Sequence, residues 1–574
     1  MPWRVQAANA NVAAALENPT AEDIMRVAAA IAEVLKREGT SVLPAYPLNP
    51  LIESAADIGI RPIIVRQERI AVHMADAISR MTSGETVGVT CMQSGPGVEN
   101  AFGAVAQAYS EAVPLVVIPG GSARATAFVK PGFNATLNFQ HVTKWSEMIS
   151  TPAQVVPAMK RAFTQARNGR PGPVLIEVPG DIWNDEVGEV DYTPAKRHLS
   201  RPDDQEIDRA AKALVDAKRP LIYAGQGVHY ARAWKELREL AELLEAPVTT
   251  SLEGKSAFPE NHDLSLGSGG VAMPLQVFRH VQEADVVFGV GASFTATGFG
   301  IRFPTKGKIF IHNTIDAMDV NKNVQAEHAL IGDARLTLLA MIAAVKDRLG
   351  NKPRGRKAEV MARIAEQRET WLKEWSPRLN SSAAPLSPYR VIRDLMATVD
   401  VANTIITHDA GSPRDELSPF WQTTAPHSYI GWGKSTQLGY GLGLAMGAKI
   451  AKPDKLCINM WGDAAIGMTG MDFETCARAN LPVLSILFNN FSMAMENQIM
   501  KLSMDKYRST DISGNYADFA KALGGYGERI EQPNDIVPAI KRGIKATQDG
   551  KPALLEFITT TEKIYATHRD TYHS

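Results

Sequence analysis

The chain has 574 residues, of which 45% are apolar and 21% charged, and its formal net charge is −1. This length is too great for one hydrophobic core and predicts about three domains. The even charge balance offers no basic surface for nucleic acid, and no stretch reaches the roughly 20 apolar residues that a membrane span needs.

The cysteines and the opening stretch indicate the compartment. Three cysteines, Cys91, Cys457 and Cys476, are scattered without metal-ligand spacing, which favours small core residues over disulfides or a zinc site. The opening stretch lacks the apolar run of a signal peptide. We therefore expect a cytoplasmic protein that has neither nucleic acid nor a membrane as a partner.

Apolar strands alternate with amphipathic helices, which predicts an α/β fold of three domains with mainly parallel sheets. Strand candidates are short apolar runs bounded by turn residues, at 86–92, 114–120, 173–179, 219–228, 284–294, 308–313, 404–412 and 552–558. Serine, proline and alanine concentrate in one later stretch, which predicts a linker. The predicted order is a first domain, a central domain, this linker and a last domain, at 1–192, 193–375, 376–388 and 389–574.

A carboxylate and a glycine turn mark the first domain. Glu68 stands at the start of an amphipathic helix, and the strand candidate at 86–92 runs into a Ser-Gly-Pro-Gly turn at 94–97. A second predicted helix follows this turn and carries Asn100. A glutamate alone at a helix start is commonly a surface charge favoured by the helix dipole. Its role therefore depends on the rest of the chain.

The most informative stretch lies in the last domain, at 455–490. An apolar run breaks at Gly462 and Asp463, a helix-like segment follows, and a second apolar run ends in two asparagines. The ends of parallel strands meet at one edge of a sheet, which brings Asp463 close to Asn490. Carboxylate and amide oxygens are ligands that Mg²⁺ takes together with phosphate oxygens. The Gly462 turn and the N–H groups of the next helix suit a diphosphate.

Together these motifs resemble the thiamine-diphosphate (ThDP) enzymes, and among them the acetolactate synthases. The stretch at 462–490 is similar to the diphosphate motif of the family, with Ala464 where a glycine is usual. The helix start at Glu68 resembles the segment with the cofactor-activating glutamate, and the turn at 94–97 resembles the loop beside the aminopyrimidine. ThDP acts as an electron sink once its thiazolium carbon has lost a proton. The resemblance implies that Glu68 promotes this proton loss.

The resemblance also implies roles for individual residues. The implied catalytic residues are Glu68 and Gln140, and the implied magnesium ligands are Asp463, Asn490 and Ser492. Leu438 is implied to wedge between the two cofactor rings, and the segment 491–500 is implied to form a helix over the thiazolium. The implied cofactor contacts are Ser94, Gly95, Pro96, Asn100, Asp409, Gly411, Ser412, Leu438, Gly462, Asp463, Ala464, Ala465, Asn490 and Met493.

The resemblance further implies the identity of each domain and the assembly. The three domains correspond to a pyrimidine-binding domain, a Rossmann-like central domain and a diphosphate-binding domain. In this family the glutamate and the diphosphate site of one cofactor come from different subunits, which implies at least a homodimer, with a homotetramer expected. The Ala-Gly-Gln-Gly turn at 224–227 resembles a central domain that binds FAD in acetolactate synthases and ADP or part of CoA in oxalyl-CoA decarboxylases. FAD, ADP and no ligand remain alternatives.

The leading functional prediction is decarboxylation of a 2-oxo acid followed by carboligation to an acceptor. The alternatives are a 2-hydroxyacyl-CoA lyase or oxalyl-CoA decarboxylase with an acyl-CoA substrate, a non-catalytic regulatory homologue, and a flavin or nicotinamide oxidoreductase. The presence of Glu68, Asp463 and Asn490 argues against the regulatory homologue. Asn497 and Ile499 stand where acetolactate synthases carry an arginine and a tryptophan, which weakens the case for a biosynthetic acetolactate synthase.

Overall fold

The computed structural model describes residues 25–568. The predicted absence of a signal peptide falls on residues outside this part, as do the outer ends of the first and last predicted domains. Within the described residues the strands form three six-stranded sheets, and every pairing between these strands is parallel. The predicted fold class is confirmed.

The first sheet contains strands β1 (Val42–Ala45), β2 (Arg61–Ile64), β3 (Gly88–Met92), β4 (Leu115–Gly121), β5 (Trp145–Met148) and β6 (Pro173–Pro179). They lie in the order β2-β1-β3-β4-β6-β5. The helices around them are α1 (Val27–Arg37), α2 (Asn49–Asp57), α3 (Glu68–Met81), α4 (Pro96–Ser110), α5 (Ala135–Asn138) and α6 (Val155–Arg167). Helix α3 is buried on nearly all sides because it packs against the first sheet, α4 and the last domain.

The central sheet contains β7 (Pro220–Ala224), β8 (Val248–Thr250), β9 (Ser265–Ser268), β10 (Val286–Val290), β11 (Ile309–Thr314) and β12 (His328–Ile331). Its order, β12-β11-β10-β7-β8-β9, reverses direction between β7 and β10. In open parallel sheets such a reversal creates a crevice at the carboxyl ends of the strands. The helices of this domain are α7 (Asp204–Asp216), α8 (Gly227–Tyr230), α9 (Trp234–Leu244), α10 (Leu275–Glu283) and α11 (Ala334–Leu349).

Helix α12 (Lys357–Leu379) leads to the last domain, whose strands are β13 (Thr404–His408), β14 (Tyr429–Ile430), β15 (Leu456–Gly462), β16 (Leu484–Asn489), β17 (Tyr526–Ile530) and β18 (Ala553–Ile558). Their order is β14-β13-β15-β16-β18-β17, which reverses between β13 and β15. The helices are α13 (Pro388–Thr398), α14 (Ser412–Leu417), α15 (Gly441–Ala451), α16 (Asp463–Thr469), α17 (Phe473–Arg478), α18 (Lys501–Tyr507), α19 (Tyr516–Ala522) and α20 (Ile536–Gln548).

Two local predictions differ from the structure. The non-helical connection spans 380–387, shorter than the predicted linker at 376–388, because Trp371 and Trp375 pack into the core of the last domain and carry α12 onward to Leu379. The predicted helix at 491–500 is wrong, since this segment contains only a short 3-10 turn. Turns of this type lie at Arg124–Thr126, Pro152–Gln154, Ala317–Asp319, Val401–Asn403, Gly470–Asp472, Glu496–Gln498 and Pro533–Asp535.

The first and last domains of the chain pack directly against each other through α3 and α15. The glycines of α15 make this close approach possible. A Cβ added to Gly443 would lie 2.4 Å from the Cβ of His73, and one added to Gly447 would lie 2.2 Å from the carbonyl oxygen of Met74. A larger side chain at either position would force the two helices apart.

The three cysteines lie in the core without disulfides, as predicted. Among the residues that the structure describes, no helix has the length and apolar character to cross a membrane.

Candidate active site

The predicted diphosphate motif lies at the carboxyl edge of the last sheet, where the strand order reverses. Strand β15 ends at Gly462, and α16 begins at Asp463. Because β15 and β16 run parallel, Asp463 and Asn490 meet at this edge. The Asp463 Oδ2 atom accepts the backbone N–H groups of Asn490 and Ser492 at 3.1 and 3.2 Å.

Asp463 is a desolvated carboxylate whose partners are backbone amides. Only 4% of the residue is exposed, and its Oδ1 accepts the N–H of Ala464 at 2.8 Å. Burial raises the pKa of Asp463 to about 6, and the groups that lower it are backbone N–H donors. The side-chain oxygen of Asn490 lies beside it and accepts the N–H of Ser492 at 3.1 Å. A divalent cation would compensate this buried negative charge.

Glu68 forms a second site in the first domain. It is the first residue of α3 and is 4% exposed, and the Asn100 Nδ2 donates to its Oε2 at 3.1 Å. Gly97 allows Gln93 to pack against the backbone beside Glu68. A Cβ at Gly97 would lie 2.7 Å from a side-chain carbon of Gln93 and 3.4 Å from Glu68 Oε1.

The other predicted residues of the first domain lie on the surface of the chain. Ser94, Pro96 and Gln140 are exposed, and Gly95 has a φ of +63° at the start of α4, a conformation that favours glycine. Within residues 25–568, no hydrogen bond or ion pair joins Glu68 to Asp463 or Asn490. Glu68 and Asp463 therefore have separate sets of hydrogen-bond partners, one in the first domain and one in the last.

Comparisons with known proteins decide the family. Three family models match in order: the N-terminal TPP binding domain, the central domain and the C-terminal TPP binding domain of thiamine pyrophosphate enzymes, at residues 25–142, 207–341 and 409–557. A probable acetolactate synthase large subunit of Methanocaldococcus jannaschii is 32% identical over 565 residues, which cover 93% of this chain and 92% of that protein. The chain belongs to the thiamine-diphosphate-dependent enzymes.

Two further relatives agree with this assignment. The acetolactate synthase large subunit of Corynebacterium glutamicum is 30% identical over 91% of this chain and 83% of its own length. The large subunit of acetolactate synthase isozyme 3 of Escherichia coli is 29% identical over 88% of this chain and 89% of its own length. The chain is an acetolactate synthase-like enzyme with ThDP as its cofactor, which confirms the predicted family, cofactor and enzymatic character.

The donor set at Asp463 fits the diphosphate end of ThDP. No group of three or more His, Cys, Asp or Glu side chains suited to a metal occurs in the described part of the chain. A cation at Asp463 and Asn490 would therefore need further oxygens, and phosphates commonly supply these to Mg²⁺. The N–H groups at the start of α16 lie at the same edge and favour an anion.

Asp409, a predicted cofactor contact, has a carboxylate that is bound within the last domain. It is fully buried, and its two carboxylate oxygens accept the N–H groups of Gly439 and Gly441 at 2.8 and 3.0 Å. Burial raises its pKa to about 6. The carboxylate is therefore hydrogen-bonded to the backbone at the start of α15. The role of Asp409 as a cofactor contact stays a prediction.

The turn after β13 contacts a residue that sequence reasoning missed, Tyr565. Gly411 has a φ of +82°, and the half-buried hydroxyl of Ser412 lies 2.8 Å from the hydroxyl of Tyr565. A hydroxyl combines one donor with two acceptor lone pairs, so Ser412 can still bind a phosphate oxygen. No motif surrounds Tyr565 in the sequence, and only the fold brings it to this turn.

The remaining predicted contacts differ in accessibility. Leu438 is half-buried against apolar clusters that join the first and last domains, and Met493 is 39% exposed. Ala464 is half-buried. Ala465 is 1% exposed and its methyl group lies in the core. Only the backbone of Ala465 is therefore in a position to act as the predicted contact.

The central domain has a cavity of about 340 Å³ at the crevice of its sheet, lined in part by Gln226, Ser293, Asn323, Arg302 and Lys434. The glycines of the predicted nucleotide turn pack on a neighbouring loop. A Cβ on Gly225 would lie 2.3 Å from the carbonyl oxygen of Gly291, and one on Gly227 would lie 2.7 Å from the Gly291 Cα. Close packing of two loops therefore accounts for these glycines without a ligand.

Proposed function

We propose that this ThDP enzyme decarboxylates a 2-oxo acid and joins the remaining acyl fragment to an acceptor. The observation that carries the proposal is the buried carboxylate of Asp463 beside Asn490, in a chain that is similar over 93% of its length to a probable acetolactate synthase large subunit. Bound ThDP supplies an electron sink for the electron pair that remains when the carboxyl group leaves.

Asp463, Asn490 and Ser492 are the proposed Mg²⁺ ligands. Asp463 contributes a carboxylate oxygen, Asn490 its side-chain oxygen and Ser492 its backbone carbonyl. Ser492 is 8% exposed, and its backbone N–H already bonds Asp463 Oδ2. This bond supports the proposal because it fixes the loop after β16 against the carboxylate. The ligands are then held in place before the cation arrives, which lowers the cost of ordering them.

Glu68 is the proposed proton-transfer group. Asn100 holds one carboxylate oxygen, and the other lies 3.4 Å from the position that a Cβ at Gly97 would take. A fixed carboxyl group can hold or release a proton at a ring nitrogen within hydrogen-bond distance. Gln140 is the proposed polar contact for substrate, since its exposed side chain lies in the same domain.

The proposed assembly is at least a homodimer, with a homotetramer expected. The family resemblance supports the second copy, because in ThDP enzymes the glutamate and the diphosphate site of one cofactor come from different subunits. Phe102 and Tyr109 on α4 are exposed apolar side chains that such an interface could cover. A cytoplasmic location, predicted from the cysteines, belongs to the same proposal.

The proposal also concerns the acceptor substrate and the ligand of the central domain. The Asn497 Nδ2 donates to Ser492 Oγ at 2.7 Å, and the Asn497 Oδ1 accepts the hydroxyl of Thr510. Asn497 is therefore engaged within the protein, which supports an acceptor that this residue does not grip. The cavity of the central domain has room for part of a nucleotide such as FAD or ADP, and its lining combines basic and acidic side chains, among them Arg302, Lys434 and Glu253.

The test begins with calorimetric titration of the metal-stripped protein with ThDP, with and without Mg²⁺. We expect binding only when Mg²⁺ is present. The loaded enzyme is then given single 2-oxo acids, pairs of 2-oxo acids and aldehydes, and acyl-CoA compounds, with CO₂ and ligation products measured by mass spectrometry. Turnover of acyl-CoA alone would replace the carboligase with a CoA lyase or decarboxylase. Absence of ThDP binding would refute the proposal.

A further inference from the structure

The segment 431–440, here called the cofactor loop, carries Leu438 and is bound by side chains of the first domain. Arg80 on α3 donates to the carbonyl oxygen of Gly431 at 2.8 Å. Gln107 near the end of α4 accepts the N–H of Gln437 at 2.9 Å. The backbone of a loop in the last domain is thus held by helices of another domain in the same chain.

Glu111 binds two backbone N–H groups of the cofactor loop, whereas Arg80 and Gln107 each bind one backbone group. The residue is fully buried, and its Oε1 accepts the backbone N–H groups of Gly433 and Lys434 at 3.0 and 2.6 Å. The same oxygen accepts the side-chain amide of Gln107 at 3.0 Å. One carboxylate therefore holds two successive amides of the cofactor loop and also orients the residue that holds a third.

Helix α4 connects this contact to the catalytic glutamate of the first domain. Asn100, which bonds Glu68, lies in its first turns, and Glu111 follows its last residue. A helix of 15 residues is about 22 Å long. A single rigid element therefore sets both the position of Glu68 and the position of the cofactor loop.

We propose that Glu111 is a positioning residue that holds the cofactor loop in the conformation in which Leu438 can contact ThDP. Leu438 lies between the amide held by Gln107 and the N–H of Gly439, which Asp409 binds from the opposite side. The loop is thus fixed on both sides of this side chain. The inference rests on the proposed cofactor site, but the hold on the loop is independent of any ligand.

The charge of Glu111 has a measurable consequence. Arg80 on α3, Lys434 on the loop and Glu253 after β8 are the charged groups that face it, and burial raises the pKa of Glu111 to about 6. The folded state therefore binds more protons than the unfolded state between about pH 4.5 and 6, so this group lowers stability as the pH rises through that window. The ionised form is less favourable for folding, yet it is the stronger acceptor for the loop amides.

The experiment compares Glu111→Gln, Glu111→Ala and the control Glu38→Gln with the unchanged chain. Glu38 is also a buried glutamate that pairs with an arginine and accepts a backbone N–H, but its partners, Arg167, Tyr192 and Ala195, lie outside the cofactor loop. Hydrogen–deuterium exchange of peptides covering 431–440 is measured without cofactor and corrected for intrinsic rates. ThDP affinity in Mg²⁺ and the melting temperature are measured on the same samples.

We expect Glu111→Ala to exchange about tenfold faster in the cofactor loop and to bind ThDP about tenfold more weakly, since two buried amides lose their acceptor. Glu111→Gln keeps the shape and should show about a threefold effect on both, with a higher melting temperature at pH 7.5. As the pH falls from 7.5 to 5.5, the unchanged chain should lose protection at the amides of residues 433 and 434, and Glu111→Gln should not. Protection of Gly439, whose acceptor is Asp409, should respond to pH alike in both chains. Glu38→Gln should leave the loop unchanged.

The proposal is overturned if Glu111→Gln folds with a higher melting temperature but shows normal loop exchange and normal ThDP affinity. A merely structural carboxylate would give that result. If the unchanged chain fails to bind ThDP, the proposed function fails, while faster loop exchange in Glu111→Gln would still support the hold on the loop.

Discussion

The carboxyl edges of the last sheet and of the central sheet are built alike, since each lies at a reversal of strand order and carries glycines at its strand ends. At the last edge, Asp463 is a buried carboxylate with backbone amides as partners. At the central edge, one of the buried polar groups is the neutral side chain of Asn313. Its Nδ2 lies 2.9 Å from the carbonyl oxygen of Leu330 and 3.0 Å from Thr337 Oγ1, and its Oδ1 accepts the N–H of Gly291.

The two polar groups differ in whether partners inside the protein satisfy their hydrogen bonds and balance their charge. Asn313 is neutral and its hydrogen bonds are completed inside the domain, so the central edge is stable as it stands. Asp463 carries a charge that amide dipoles alone balance poorly, because burial removes the water that would otherwise solvate it. An uncompensated charge at a sheet edge is thus a better sign of a cation and diphosphate site than glycine spacing.

Replacement of Asp463 is the strongest test of this comparison. Asp463→Ala should weaken ThDP binding in Mg²⁺ by about 3 kcal/mol, or roughly 100-fold, because the cation loses its only carboxylate ligand in the proposed set. Calorimetric titration measures the change. Asp333→Asn, at a buried aspartate that caps α11 beside the central edge, should leave ThDP affinity unchanged. Equal affinity in Asp463→Ala would place the metal site elsewhere.

Replacement of Glu68 should affect the reaction rate and ThDP binding to different extents. Glu68→Gln should reduce kcat by about 100-fold or more, the typical contribution of a proton-transfer group, while ThDP affinity changes by no more than about threefold. Steady-state kinetics and titration of the same preparation test both parts. Glu38→Gln serves as the buried control and should retain kcat. Normal turnover in Glu68→Gln would remove its assigned role.

Replacement of Gly291 tests whether the glycines of the central edge serve the close packing of two loops. Gly291→Ala places a Cβ 2.7 Å from the N of Val228, at a φ of +55°, and should lower the free energy of unfolding by about 2 kcal/mol. Urea unfolding measures this loss. Gly298→Ala, with no atom within 4 Å of the added Cβ, should change it by less than about 0.5 kcal/mol. ThDP affinity of folded Gly291→Ala should stay normal, and a large loss would contradict the comparison.

Ser412 should give the smallest effect. Ser412→Ala removes one hydroxyl from the diphosphate edge and should weaken ThDP binding about threefold, as expected for one hydrogen bond. Tyr565→Phe removes the partner hydroxyl, and a double-mutant cycle on ThDP affinity separates the two contributions. If Tyr565→Phe alone accounts for the whole effect, Ser412 orients the tyrosine and does not contact phosphate.

Much of the site was predictable because it follows strand ends. Asp463 and Asn490 each come directly after an apolar run, and parallel pairing of β15 with β16 leaves them little freedom to separate. The start of α3 at Glu68 was likewise predicted, since the apolar periodicity begins there. The bonds from Asp409 to Gly439 and Gly441 could not be predicted, because the sequence gives no sign of whether the carboxylate of a strand-end aspartate turns outward or beneath the next turn.

The sequence by itself determined the α/β class, the strand ends and the carboxylates that follow them, because hydrophobic periodicity and turn residues are local properties. Tertiary structure alone decided that Tyr565 meets Ser412, that Glu111 binds the amides of residues 433 and 434, and that Gly291 packs on Gly227. The separation along the chain ranges from 64 residues (291 − 227) to 323 residues (434 − 111). Contacts at such separations depend on how whole domains pack, which no local pattern records.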